Sequence, residues 1–214
     1  MLDAPQGSDA WKQSRLGKVT ASRISAVLSK GRNGGIPVTR NNYMDDLIAE
    51  RVLGVPTSYV TNDAMAWGSQ CEAEARTFYS LMKDVDVEQV GFIDHPTIPM
   101  AGASLDGLVG CDGFLECKCP QSRTHMETIR KGCVPPQYIP QILWGAACRP
   151  ERKWCDFVSF DPRLDLAVRL FVKRVVIDRA EVARLEDEVR QFMIDMEPIE
   201  ARVRAFVKRT NGNG

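Results

Sequence analysis

The chain has 214 residues, 44% hydrophobic and 26% charged, the composition of a soluble globular protein with a sizeable core and not of a disordered or fibrous one. No run of about 18 apolar residues occurs, which excludes a helical membrane span, and the opening "MLDAPQGSDAWK" lacks the basic-then-apolar layout of a secretory signal. Twenty-eight Lys and Arg balance twenty-eight Asp and Glu, so net charge alone marks no polyanionic partner.

In chain order, "SDAWKQSRLG" predicts a helix capped by Ser8 and stopped at Gly17. "TASRISAVLSKG" predicts another, with Thr20 as cap, Ile24, Val27 and Leu28 inward and Gly31 as stop, and "GRNGGIPVT" is a loop by composition. "NNYMDDLIAERVLG" carries Met44, Leu47, Ile48 and Val52 at helical spacing and ends at Gly54. A further helix is expected from about Asn62 to Lys83. Strands follow in "VDVEQVGFI", "MAGASLDGLVG" and "GFLECKC". "RTHMETIRKG" and "PQYIPQILWGAACR" read as helices, the second kinked at Pro140. "KWCDFVSFD" and "AVRLFVKRVVID" are strands again, before a long helix from about Arg179 that is interrupted near Pro198. This order predicts an α/β or α+β protein, one domain over residues 1–210 with a central mixed sheet flanked by helices, and a disordered tail at 211–214.

Seven cysteines without a secretory signal point to reduced thiols in a cytoplasm. The absence of C-x-x-C and the presence of only two histidines argue against structural zinc and iron–sulfur sites. Charge resolved along the chain is uneven: residues 8–40 hold seven Lys or Arg and one acid, whereas residues 41–116 hold thirteen acids and three basic residues. A basic arm beside an acidic middle fits a polyanion grip around a metal centre, and it equally fits helices that are merely solvated.

The stretch with most chemistry is "ASLDGLVGCDGFLECKCP". It reads as strand, turn, strand, and residues two apart on a strand share a face. Glu116 and Lys118 therefore project together, with Leu115, Cys117 and Cys119 on the opposite, core side. Phosphodiester hydrolysis needs charge neutralised on the phosphate and a nucleophile generated at neutral pH, and a bound Mg²⁺ does both. Mg²⁺ takes hard oxygen ligands. Asp106 and Glu116 supply carboxylates, the Cys117 backbone carbonyl a third oxygen, and Lys118 an ammonium to orient water or stabilise developing charge. Glu72, on the helix "WGSQCEAEAR", is a further carboxylate; Glu74 and Arg76 read as exposed charges. The alternative for Asp106, Glu116 and Lys118 is an ordinary surface charge group.

Five blocks in order, "DAWKQSRLGKVTAS", "AMAWGSQCEAEARTFY", "AGASLDGLVGCDGFLECKCP", "YIPQILWGA" and "FDPR", resemble the phage lambda exonuclease family, the YqaJ-like viral recombinases of the PD-(D/E)xK nuclease superfamily. The resemblance spans about residues 8–178, and it departs from the superfamily pattern at Leu105, where a proline is usual. It implies a restriction-endonuclease-like fold and a Mg²⁺-dependent (or Mn²⁺-dependent), 5′-to-3′ exonuclease that digests one strand of duplex DNA from an end, with two ions per site. It further implies a homotrimeric ring, a single-strand annealing protein as partner, and a phage or prophage origin with action in a bacterial cytoplasm. Carried onto this chain, it makes Asp106, Glu116 and Glu72 metal ligands and Lys118 the catalytic lysine. Arg15, Ser22, Ser104 and Gln141 match a pocket for the 5′-terminal phosphate, Arg32 a DNA-contacting arginine, and Met65 an apolar wedge between strands. Two other readings of the same core are a structure-specific or restriction-type endonuclease and a non-catalytic end-binding adaptor.

Overall fold

The structure, a computed structural model, describes residues 4–31, 37–56 and 63–211. Helix α1 (Asp9–Ser14) starts as its sequence requires, with Ser8 Oγ accepting from Trp11 N. The chain leaves it through Gly17, which takes a positive φ of 65° and is clasped by α3 (Val38–Leu53): its N–H donates to Glu50 and its carbonyl accepts from Arg51 Nε. Between them lie the short strand β1 (Val19–Thr20), a 3-10 turn at Ala21–Arg23 and the single-turn helix α2 (Ile24–Val27). Here the expected cap fails. Thr20 is paired in a strand and makes no side-chain cap bond, and the helical segment is shorter than its pattern. Helix α3 ends at Gly54 in the left-handed conformation, as expected, and α4 (Asp63–Lys83) matches the helix read from the sequence.

The strand region is more divided than its sequence. "VDVEQVGFI" forms two strands, β2 (Val87–Glu88) and β3 (Phe92–Asp94), and "MAGASLDGLVG" also forms two, β4 (Ala101–Ser104) and β5 (Gly107–Val109). Each pair is split between two sheets. The smaller sheet has the order β1-β4-β3, and the larger has β2-β5-β6-β7-β8, with β6 (Gly113–Lys118), β7 (Trp154–Phe160) and β8 (Leu170–Val176). β6 and β7 run parallel and the remaining pairs of the larger sheet are antiparallel, so the sheet is mixed. Asp106 sits where the chain crosses from one sheet to the other.

Both faces of β6 are covered. Leu115 and Cys117 pack with Val158 and Phe160 of β7 beneath Ala75 and Tyr79 of α4. On the opposite face Phe114 and Phe157 join the main core with Ile142 and Trp144 of α6 (Ile139–Cys148) and Val189 and Phe192 of α7 (Arg179–Asn211). Gly145 lets α6 sit close to the sheet crossing: a Cβ there would stand 2.8 Å from Leu105 Cδ2. Helix α5 (Ser122–Lys131) follows β6 and ends at Gly132, φ 62°.

Two proline expectations are corrected. Pro140 lies in the first turn of α6, after a 3-10 turn at Pro136–Tyr138, where its missing N–H breaks no helical bond and no kink is needed. Pro198 stands inside α7, which continues to Asn211 without interruption. Its ring is on the exposed side, where the carbonyl it leaves unpaired can be hydrated. Residues 212–214 lie outside the described residues, and among the described residues no helix is long and apolar enough to cross a membrane.

Candidate metal centre and end-binding pocket

The sheet crossing places the acidic cluster. Asp106 Oδ2 accepts from Cys117 N at 2.6 Å, which pins the crossing to β6. The β5–β6 ladder stops at Gly107–Leu115, so Cys117 lies beyond it. The N–H and C=O of one strand residue face the same edge, so the Cys117 carbonyl also faces the Asp106 side. Two residues apart on β6, Glu116 and Lys118 project together as expected, with Lys118 Nζ 2.5 Å from Glu116 Oε1. That oxygen is fully enclosed, and the ammonium is the charge beside it. Glu72 arrives from α4, which covers the sheet face opposite Glu116, and is close enough to Asp106 and Lys118 for their charges to move its pKa.

The electrostatics are those of acids crowded in a poorly hydrated place. Burial first, then Asp106, raises the Glu72 pKa against the pull of Lys118 and Arg76. Burial raises Asp106, opposed by Lys118 and by the Cys117 N–H. Burial, together with Asp106 and Glu72, lifts Glu116 to about 7 in spite of Lys118. Burial pushes Lys118 down, but Glu116, Asp106 and Glu72 more than reverse it, so the lysine stays an ammonium. Three carboxylates face the two cations Lys118 and Arg76, and with all of them ionised the excess is negative. A hard divalent cation fits this set in charge and donor type, with Asp106, Glu116, Glu72 and the Cys117 carbonyl as oxygen donors. As the side chains stand, no three His, Cys, Asp or Glu among the described residues are gathered closely enough to enclose an ion.

A second group lies on the N-terminal side. Arg15 Nη2 donates to Ser22 Oγ at 3.3 Å, and its guanidinium rests 4.4 Å from the centroid of Trp11. Trp11 Nε1 donates to Ser104 Oγ at 2.9 Å. An indole N–H is only a donor, so Ser104 accepts here and its own hydroxyl proton remains free to be donated. Arg15, Ser22 and Ser104 are thus joined into one patch. Gln141 is on the first turn of α6, which packs against the Ala21–Arg23 turn and β4, the elements carrying Ser22 and Ser104. It makes no hydrogen bond with the other three residues. Lys12, Lys18, Arg23 and Arg40 of the basic arm are paired with Asp9, Asp94, Asp46 and Asp195. Among the described residues Arg15 makes no such ion pair, and burial lowers its pKa against the pull of Tyr43 and Glu50. Arg32 lies outside the described residues, as does the side chain of Met65, whose backbone is in α4.

Three contributors escape the sequence reading. Trp11 bridges Arg15 to Ser104, and its signal is the i, i+4 spacing to Arg15. Arg76, read as an exposed charge, is half-buried and acts on both Glu72 and Asp106; it stands four residues after Glu72, on the same helix face. Tyr138, with its ring centroid 5.5 Å from Lys118 Nζ, stacks on Phe157, and its mark in the sequence is that it opens the block "YIPQILWGA".

An acid–lysine cluster at the sheet crossing of a mixed α+β fold defines the restriction-endonuclease-like class. The YqaJ-like viral recombinase domain model matches residues 10–149. The crystal structure of an alkaline exonuclease, LHK-Exo, from Laribacter hongkongensis is 40% identical with a TM-score of 0.86, covering 95% of this chain and 100% of that one. The same protein in complex with dAMP gives 41% identity and a TM-score of 0.84 over 96% and 99% of the two chains. A phage-related exonuclease from Haemophilus somnus 129PT, 11% identical at a TM-score of 0.63 over 89% and 96%, shares the fold. No curated protein matches significantly. The chain belongs to the YqaJ-like viral recombinase family.

Proposed function

We propose that this protein, an exonuclease of that family, digests one strand of linear duplex DNA from its 5′ end with the help of Mg²⁺, or Mn²⁺ in its place, leaving a 3′ overhang for recombination by strand annealing. The observation that carries the reading is the convergence of Asp106, Glu116, Glu72 and Lys118 at the sheet crossing, in a chain 40% identical to an alkaline exonuclease. One or two divalent ions held by Asp106, Glu116, Glu72 and the Cys117 carbonyl would supply Lewis acidity and a water of lowered pKa. Lys118, kept protonated by its acidic neighbours, orients the attacking water and stabilises charge developing on the phosphate. Tyr138 and Glu116 hold the ammonium between them.

Arg15, Ser22, Ser104 and Gln141 bind the 5′-terminal phosphate and so set which nucleotide reaches the metal centre. The fork of Arg15 suits phosphate oxygens, and Ser104 has a proton to give. The dAMP complex of LHK-Exo supports a site for a nucleotide monophosphate in this fold. Arg32 contacts the DNA backbone and Met65 separates the strands at the end. The protein works as a homotrimeric ring in a bacterial cytoplasm, encoded by a phage or prophage, and hands its product to a single-strand annealing protein. The test is to offer linear and closed circular forms of one plasmid with Mg²⁺. Mononucleotide release from the linear form alone is expected, whereas nicking of the circle would make the protein an endonuclease.

A further inference from the structure

Arg163 lies just beyond β7 and touches three elements at once. Its Nε donates to Asp161 Oδ1 at 2.7 Å and its Nη2 to Asp161 Oδ2 at 3.0 Å, while its backbone N–H also donates to Asp161 Oδ1 at 3.1 Å. The same Nη2 donates to the Pro120 carbonyl at 3.1 Å, two residues past Lys118 at the exit of β6. Its guanidinium lies 5.0 Å from the ring centroid of Trp67 on α4. Asp161 is fully buried at the exit of β7. Both charges act on Cys71, the neighbour of Glu72.

Glu72 must meet Asp106 and Lys118 from a separate element, so its place depends on how α4 is docked. Behind Glu72, α4 is held by the apolar seam of Ala75 and Tyr79 against Leu115, Cys117, Val158 and Phe160, and Tyr79 OH donates to Asp156 Oδ2 of β7 at 2.7 Å. That attachment fixes one end of the helix, about which the turn carrying Glu72 can still pivot. Ahead of Glu72, among the described residues, buried Cys71 meets Cys119 and Trp67 rests on Arg163, whose guanidinium is in turn fixed by a two-pronged bond to a buried carboxylate and by a strand-exit carbonyl. Glu72 lies between the two attachments. We propose that Arg163 is a positioning residue, which locks α4 to the exits of β6 and β7 and thereby holds Glu72 in register with Asp106 and Lys118. A direct phosphate contact is the weaker use of this cation, because its charge is already matched by Asp161 and its Nε and Nη2 donors are engaged. The inference rests on the reading of the acidic cluster as a metal centre.

Trp67→Leu removes the α4 attachment while leaving Asp161 paired, and Arg163→Lys keeps the charge but loses the planar fork. Each is compared with wild type and with Glu72→Gln by thermal unfolding, by calorimetric titration of the DNA-free protein with Mn²⁺, and by kcat and KM on linear duplex. Losses of an outer partner of this kind run to about 10–100-fold in metal affinity or activity. The expected result is a fall of that size in Mn²⁺ affinity and in kcat, with KM for duplex unchanged and the protein folded. Folded variants with wild-type Mn²⁺ affinity and kcat overturn the proposal, as does a rise in KM alone, which marks a phosphate contact. Should Arg163→Lys fail to fold, Trp67→Leu decides. A damaged Glu72→Gln beside unaffected clamp variants overturns the clamp alone, whereas a wild-type Glu72→Gln brings it down together with the metal-centre reading.

Discussion

Arg15→Ala is predicted to erase most of the preference for a 5′-phosphorylated duplex end over a 5′-hydroxyl end. Among the described residues Arg15 makes no ion pair with a carboxylate, and it is held over Trp11 and against Ser22. A terminal phosphate carries more charge than an internal one, so an unpaired fork distinguishes the two ends. A hydrogen bond to a charged group contributes about 1.5–3 kcal/mol net, which converts to roughly ten- to a hundred-and-fifty-fold in rate. The stack on Trp11 is present with either substrate and cancels from the ratio. Arg15→Lys, with charge but no fork, falls between wild type and alanine. The assay compares initial rates on duplexes differing only in the 5′ phosphate, at one salt concentration because general phosphate contacts weaken with salt. An equal slowing of both substrates makes Arg15 a general backbone contact and refutes the pocket.

Lys118→Ala should lower cleavage by about a hundredfold or more while duplex affinity, measured by anisotropy in Ca²⁺, stays within a few-fold; near-wild-type turnover would dismiss the lysine. Mg²⁺ and Mn²⁺ should support turnover and Ca²⁺ binding alone, since Ca²⁺ accepts the same oxygens but is larger and less polarising; activity in excess EDTA would contradict the metal centre. Asp161 is held at about 2 where burial, which would raise its pKa, is outweighed by bonds from Arg163 and Ser122. A depressed carboxylate contributes stability that is full above its unfolded pKa and is lost as pH falls, here between about 4 and about 2, a loss of about 2 kcal/mol. Asp161→Asn should flatten that part of the urea-midpoint profile against pH, and an unchanged slope would remove Asp161 from the account.

The sequence was most legible where a local rule decides. Ser8 caps α1 and Gly54 ends α3 because those functions need only the residue and its neighbours. Glu116 and Lys118 fall together because strand periodicity is two. What it hid depends on distant parts of the chain. Nothing in "MAGASLDGLVG" says that the segment changes sheets at Asp106, since β4 lies between β3 and β1 from the start of the chain, whereas β5 joins β2 and β6. Pro140 and Pro198 read from the sequence as disruptive, yet one occupies a first turn and the other an exposed face, which only the packed helices reveal. The apolar pattern of β6 shows one core face, and Glu116 is buried on the second, where Phe114 packs with α6 and α7 in the main core. Glu72 reads from its helix as a further carboxylate and from the family resemblance as a metal ligand, whereas Arg76, one turn on, follows from helical spacing once Glu72 is chosen.

The central claim is a metal-dependent attack from the 5′ end, and its most direct test is a linear duplex carrying distinguishable labels at the 5′ and 3′ ends of one strand. With Mg²⁺, the 5′ label should appear first as a mononucleotide while the 3′ label stays in long product, and Asp106→Ala or EDTA should abolish both. Release of the 3′ label first, or release of either label by the Asp106→Ala protein, would contradict the account.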